Sequence, residues 1–160
     1  MKRQFVGLIS VLTLYAFSCG ASPDGLPIAD AEVVTIKSPA EITSKQKLPY
    51  FVGISADTAG AKGIFMQLVV IPPGGTAAPH YHDGFEEAVY LIQGKVETRY
   101  GPGLEKSVIN ETGDFIFIPS NVPHQPRNLS NIEPAIAIIS RNNPNPQESI
   151  IPYEPDKIED

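Results

Sequence analysis

The chain contains three histidines, and all of them fall in two short stretches framed by glycine and proline. His80 and His82 stand in Gly74-Gly75-Thr76-Ala77-Ala78-Pro79-His80-Tyr81-His82-Asp83-Gly84-Phe85-Glu86-Glu87. His124 stands in Gly113-Asp114-Phe115-Ile116-Phe117-Ile118-Pro119-Ser120-Asn121-Val122-Pro123-His124-Gln125-Pro126-Arg127-Asn128. Imidazole is the commonest metal ligand in proteins. In an extended strand, residues two apart project from the same face, so His80 and His82 lie side by side with Tyr81 opposite. An Asp83-Gly84 turn signal and the carboxylates Glu86 and Glu87 follow. Two imidazoles, one carboxylate and a third imidazole from a distant strand can hold a divalent ion and still leave positions open for water or substrate. A bare His-x-His pair would carry little weight; the framing of both stretches is what points to a site.

That framing resembles the two signature motifs of the cupin superfamily. The first motif reads Gly, five residues, His-x-His, four residues, Glu, six residues, Gly, which Gly74, His80, His82, Glu87 and Gly94 match throughout. The second reads Gly, five residues, Pro-x-Gly, two residues, His, three residues, Asn; Gly113, Pro119, His124 and Asn128 match, and Asn121 replaces the middle glycine. Asparagine tolerates the left-handed backbone region better than most residues. The resemblance implies the metal ligands His80, His82, Glu87 and His124, with one divalent transition ion (Fe, Mn, Ni, Cu or Zn). Glu86 is the alternative carboxylate, and the six-residue gap to Gly94 favours Glu87. With Glu87 inward, Val89 and Leu91 line the interior and Glu86 faces solvent.

The elements that position these residues read as β-structure. Strands are expected from Phe51 to Ala56, Gly63 to Ile71, Ala88 to Ile92, Lys95 to Tyr100, Lys106 to Ile109, Phe115 to Ile118 and Ala135 to Ile139, punctuated by glycine and asparagine turns. Ile64 to Ile71 is apolar on both faces, the pattern of a strand covered on both sides. No long 3.6-residue periodicity competes. Pattern alone predicts an all-β sandwich or barrel, and the resemblance narrows it to a single jelly-roll barrel over residues 30–155, its tail from Asn142 lacking regular structure.

The first 18 residues read as a signal peptide: Lys2 and Arg3, then a mostly apolar run from Phe5 to Phe17 too short to cross a bilayer comfortably. Cys19, the sole cysteine, follows Ala16-Phe17-Ser18 in a position resembling a bacterial lipobox, so a lipid anchor at Cys19 and an exported, periplasmic or cell-envelope location are expectations, with residues 19–29 as a tether. Removing 18 of the 160 residues leaves 142, without a second cysteine for a disulfide, and moves the net charge from −6 to −8 because Lys2 and Arg3 leave with no acid. A chain of that size buries one good core. Its acidity disfavours nucleic acid and anionic membranes as partners. Single-domain cupins are often homodimers, and residues 30–50 are a segment that could be exchanged.

With three neutral histidines and one glutamate, a divalent ion retains a charge near +1 and favours anionic oxygen ligands. The expected activity is a metal-dependent oxidoreductase of dioxygenase type on a small organic anion, with Glu87 also moving a proton. Tyr90, Arg99 and Tyr100 are open candidates for the site. The alternatives are a non-enzymatic small-molecule or metal binder and a sugar isomerase-like protein; the second lacks a basic cluster for phosphate.

Overall fold

The computed structural model describes residues 32–37, 41–43, 48–145 and 150–155. The expected signal peptide, the expected tether and Cys19 lie outside the described residues. The chain divides into residues 1–33 and 34–160, and all described strands belong to the second unit.

These strands are β1 (Glu41–Thr43), β2 (Pro49–Ile54), β3 (Phe65–Ile71), β4 (His80–His82), β5 (Glu87–Gln93), β6 (Lys95–Tyr100), β7 (Lys106–Glu111), β8 (Phe115–Ile118), β9 (His124–Asn128), β10 (Ala135–Arg141) and β11 (Ile150–Pro152), with one helical turn, α1 (Ala56–Ala59). They form two antiparallel sheets, ordered β1-β2-β3-β10-β5-β8 and β11-β4-β9-β6-β7. This is the expected jelly roll. Period-2 alternation builds its interior: Phe65, Gln67, Val69 and Ile71 of β3 are buried, and Leu91 of β5, Val96 of β6 and Ala135 and Ala137 of β10 join Val69 and Ile71 in one core.

Several elements depart from the sequence expectations. The strand expected over 51–56 stops at Ile54 because Ser55 caps α1: its hydroxyl accepts from Thr58 N, the Thr58 hydroxyl accepts from Ser55 N, and Gly60 closes the turn at φ 66°. The apolar run of β3 is buried on its inner side only. Met66 is 40% exposed, and Tyr90, Ile92, Phe115 and Phe117 are exposed on the neighbouring strands. The tail expected to be irregular instead supplies β11. Ile150, Ile151 and Pro152 pair with His82, Tyr81 and His80, Ile150 is buried, and Tyr153 N donates to Pro79 O. Without it β4 would be a bare edge, and two isoleucines are well suited to closing one.

Gly94, the last residue of the first motif, turns β5 into β6 at φ +103°, where a Cβ would lie 2.9 Å from both Cα and Cβ of Ala135. Gly94→Ala therefore meets a steric clash with backbone as well as an unfavourable φ. It is expected to destabilise the fold by about 2 kcal/mol or more, read as a lowered urea midpoint; an unchanged midpoint would show that β10 can move aside freely.

Candidate metal centre

The register of the strands assembles the site. His80 of β4 lies directly across from His124 of β9. The alternation of β4 turns His80 and His82 inward, at 5% and 2% exposure, with Tyr81 between them half-buried. The loop before β9 is tied to the loop after β4: Asn121 N donates to His82 O, and Asn121 Oδ1 accepts from Gly84 N. Asn121 sits at φ 63°, the left-handed backbone that its place in the second motif calls for. One ring nitrogen from each of His80, His82 and His124 falls within 4.8 Å of the others.

The backbone selects the tautomers. Ala78 O lies 2.8 Å from His80 Nδ1, and Val122 O lies 2.9 Å from His124 Nδ1. A carbonyl only accepts, so each Nδ1 carries the hydrogen and each Nε2 presents a lone pair. His82 has no hydrogen-bond partner on either ring nitrogen, although it is almost wholly buried. Its Nε2 is 3.0 Å from Glu87 Oε2, close enough to interact electrostatically but off line for a hydrogen bond. Leaving a buried polar atom unpaired costs about 1–3 kcal/mol, a cost that a ligand at this point would remove. The donor set fits a divalent transition ion on chemical grounds.

Glu87 enters from the first residue of β5 and is 4% exposed, whereas Glu86 is exposed and its backbone N–H donates to Asn142 Oδ1. The spacing argument for the inward carboxylate agrees with this facing. Opposite Glu87 in the β5–β10 register stands Arg141, also 4% exposed, whose Nε donates to Glu87 Oε2 at 2.5 Å. Arg141 has no motif around it, and β10 was expected to end at Ile139. Its alternation with buried Ala135 and Ala137 is the one sequence signal that turns it inward.

Charge and burial oppose one another here. Burial disfavours ionised Glu87 most strongly, but Arg141 and then His82 outweigh it and hold the carboxyl well below its usual range. Burial, followed by the neighbouring His124, lowers His80 from 6.5 to about 3. Burial likewise lowers His124 against the attraction of Glu87. At neutral pH both rings are thus uncharged and able to ligate.

The sign of the resulting pH dependence is fixed. Between 6.5 and about 3, the unfolded chain protonates at His80 and the native state does not. Stability of the metal-free protein therefore falls as pH is lowered through that window, by up to about 1.4 kcal/mol per pH unit for this one imidazole. Glu87 adds to the loss only below its ordinary value of 4.5, as pH falls toward its depressed native value. Urea unfolding after chelation, from pH 7 down to pH 5, measures the first window; a flat profile there would contradict neutral burial of His80.

Beneath the histidines lies a cavity of about 80 Å³. Its polar wall residues are His80, Glu87, Thr98, His124 and Arg141, and all the others are aliphatic or proline. Val89 and Leu91 line it as expected. Tyr90 and Arg99 do not: Tyr90 stacks on Phe115 outside the barrel at 4.8 Å between ring centres, and Arg99 is 57% exposed beside Glu97. Tyr100 is half-buried and also outside the cavity wall. Thr98, two residues earlier on β6, is the buried polar residue that strand contributes.

Comparison with known proteins agrees with this architecture. The cupin domain profile matches residues 67–140. Protein SchB of Streptomyces halstedii is 34% identical over 80 residues, covering 50% of this chain and 56% of SchB. Germin-like protein 3-1 of Oryza sativa subsp. japonica is 25% identical over 97 residues, covering 59% of this chain and 43% of its own. The chain thus spans about half the length of the curated relatives it matches. Among solved structures, oxalate decarboxylase of Lactobacillus farciminis in a formate complex superimposes with a TM-score of 0.60 at 24% identity, over 71% of this chain and 33% of that one. A recombinant oxalate oxidase in complex with glycolate gives 0.59 at 20% identity, over 75% and 62%. Sequence profile and strand order agree that residues 67–140 form a cupin domain, and the inward cluster of three histidines lies within it.

Proposed function

We propose that the protein is a metal-dependent oxidoreductase of dioxygenase type acting on a small organic anion, with His80, His82, Glu87 and His124 as its ligand set. The observation that carries this reading is the convergence of three buried imidazoles, one of them with neither nitrogen hydrogen-bonded. When bound, a divalent transition ion supplies Lewis acidity and a redox centre. Everything else is work for the chain itself. The Ala78 and Val122 carbonyls orient two rings, the aliphatic wall excludes water, and Arg141 holds Glu87 in place. Glu87 is the one carboxylate in the cavity wall and so the group available to take or return a proton there. The excess positive charge of the ion and the arginine over one carboxylate favours an anion, and the small cavity favours a short one. The oxalate oxidase and oxalate decarboxylase neighbours support the same class of ligand.

Two measurements test the proposal together: elemental mass spectrometry of untagged protein, and oxygen uptake by the metal-loaded protein with a panel of short organic acids. Near-stoichiometric Fe, Mn, Ni or Cu with oxygen consumption is expected. Metal and acid binding without turnover would leave a binding module, and a protein that refuses added metals would overturn the metal reading. Export, lipidation at Cys19 and a homodimer belong to the same proposal. The apolar run at residues 5–17 supports export, and the exposed apolar side chains of Met66, Tyr90, Ile92, Phe115 and Phe117 support pairing of two copies. Intact mass of the membrane-extracted protein and sedimentation analysis read them directly.

A further inference from the structure

We infer that Arg141 is the substrate-binding residue of the cavity and that its ligand is the carboxylate of a short organic acid. The inference starts from a guanidinium incompletely satisfied. Arg141 is buried, yet only its Nε has a carboxylate partner, Glu87 Oε2. Its Nη1 is buried with no hydrogen-bond partner. Guanidinium carries five N–H donors in a rigid planar fork suited to two-point contact with carboxylates. A purely structural Arg–Glu pair buried in a barrel would be expected to use that fork face to face with both carboxylate oxygens. Here the contact is through Nε to one oxygen, and Phe65 lies against the guanidinium at 5.9 Å from its ring centre.

The position completes the case. Arg141 lies in the cavity wall with His80 and His124, and it is the only lysine or arginine there among the described residues. Glu87 Oε2 is shared: it is 2.5 Å from Arg141 Nε and 3.0 Å from His82 Nε2, so those two nitrogens are at most 5.5 Å apart. One small acid can therefore place a carboxylate oxygen at Nη1 while its other end reaches the focus of the histidines. A cavity of about 80 Å³ favours a short acid, and a neutral amide offers the guanidinium one acceptor oxygen without the charge or the second oxygen that two-point contact needs. This deepens the proposed function by naming carboxylate as the recognised group, and it rests on that reading only for what happens after binding.

The test is calorimetric titration of acetate, oxalate and neutral acetamide into the full chain, once stripped with chelator and once loaded with Mn²⁺, for wild type, Arg141→Lys and Arg141→Gln. Expected is binding of a carboxylate but not acetamide by stripped wild type, and tighter binding after loading. Both variants should bind the carboxylate at least tenfold more weakly in the stripped state. Arg141→Lys keeps the charge beside Glu87 but loses the fork, so it separates two-point recognition from charge alone and stands in if Arg141→Gln does not fold. Mn²⁺ content, read in parallel, should be unchanged in Arg141→Lys. Wild type that takes acetamide as well as acetate, or variants that keep wild-type carboxylate affinity, would overturn the inference. So would a loss confined to loaded protein that has also lost its Mn²⁺, since Arg141 would then only prop Glu87. Wild type that takes no metal sinks the proposed function, while the stripped-protein titrations still decide the role of Arg141.

Discussion

His82→Ala and His124→Ala each strip the purified protein of its metal, weakening affinity by more than about 100-fold. Loss of outer-shell partners alone typically costs 10- to 100-fold, so deletion of an imidazole that itself faces the ion exceeds that range. The expectation is strongest for His82, whose two buried nitrogens have no other hydrogen-bond partner, and nearly as strong for His124, whose Nδ1 is committed to Val122 O so that Nε2 points inward. Glu86→Ala leaves metal content unchanged, because the side chain is exposed and only its backbone N–H is engaged, by Asn142. Glu87→Ala lowers metal content and also leaves the buried Arg141 without its counter-charge. Elemental analysis of the four variants decides the matter. Equal loss from Glu86→Ala with a silent Glu87→Ala would reverse the carboxylate assignment.

Asn128→Asp unfolds the barrel far more readily than its size suggests, by about 3–5 kcal/mol at pH 7, out of a total that for domains of this kind is about 5–15. Asn128 is 1% exposed. Its Nδ2 lies 3.1, 3.1 and 2.8 Å from the carbonyls of Ile71, Pro72 and Glu133, and its Oδ1 accepts from Ser130 N at 2.9 Å. The amide thus fastens the end of β3 and the loop before β10 to the end of β9. A carboxylate in its place turns acceptor oxygens on three carbonyls, and its charge has no cation to meet in these contacts. Asn128→Ala is the milder change, about 2–3 kcal/mol, since it removes donors without burying a charge. Urea midpoints should rank wild type, then Asn128→Ala, then Asn128→Asp, with the two variants converging as acid neutralises the aspartate. Equal midpoints for all three would mean that the bracket contributes nothing.

The same residue shows what was legible in the chain beforehand. Asn128 could be read as the last position of a motif, but its reason for being there, three carbonyls of which two belong to the distant end of β3, could not. Asn121 was legible in full: a residue tolerant of positive φ stands where the motif has glycine, and the backbone takes φ 63°. Inward and outward facing was legible wherever alternation was clean, as for His80, His82, Glu87, Val89 and Leu91. It failed to forecast the partly uncovered outer side of β3, where Met66 is exposed, since an apolar face does not say whether its own chain will cover it.

Arg141 marks the boundary between the two kinds of information. Turn chemistry, side-chain period and motif spacing act over a few residues, and they specify most of the strands, the inward histidines and the turn at Gly94 from the chain alone. The contact of Arg141 with Glu87 joins residues 54 apart and exists only because β5 and β10 pair in one register, Glu87 opposite Arg141. The closure of β4 by the tail at Ile150 is of the same kind. Register between distant strands is chosen by packing of the whole interior, where a one-residue slip would turn every side chain to the other face. The charge placed beside the histidines is for that reason a property of the folded barrel, while the histidines themselves are a property of the chain.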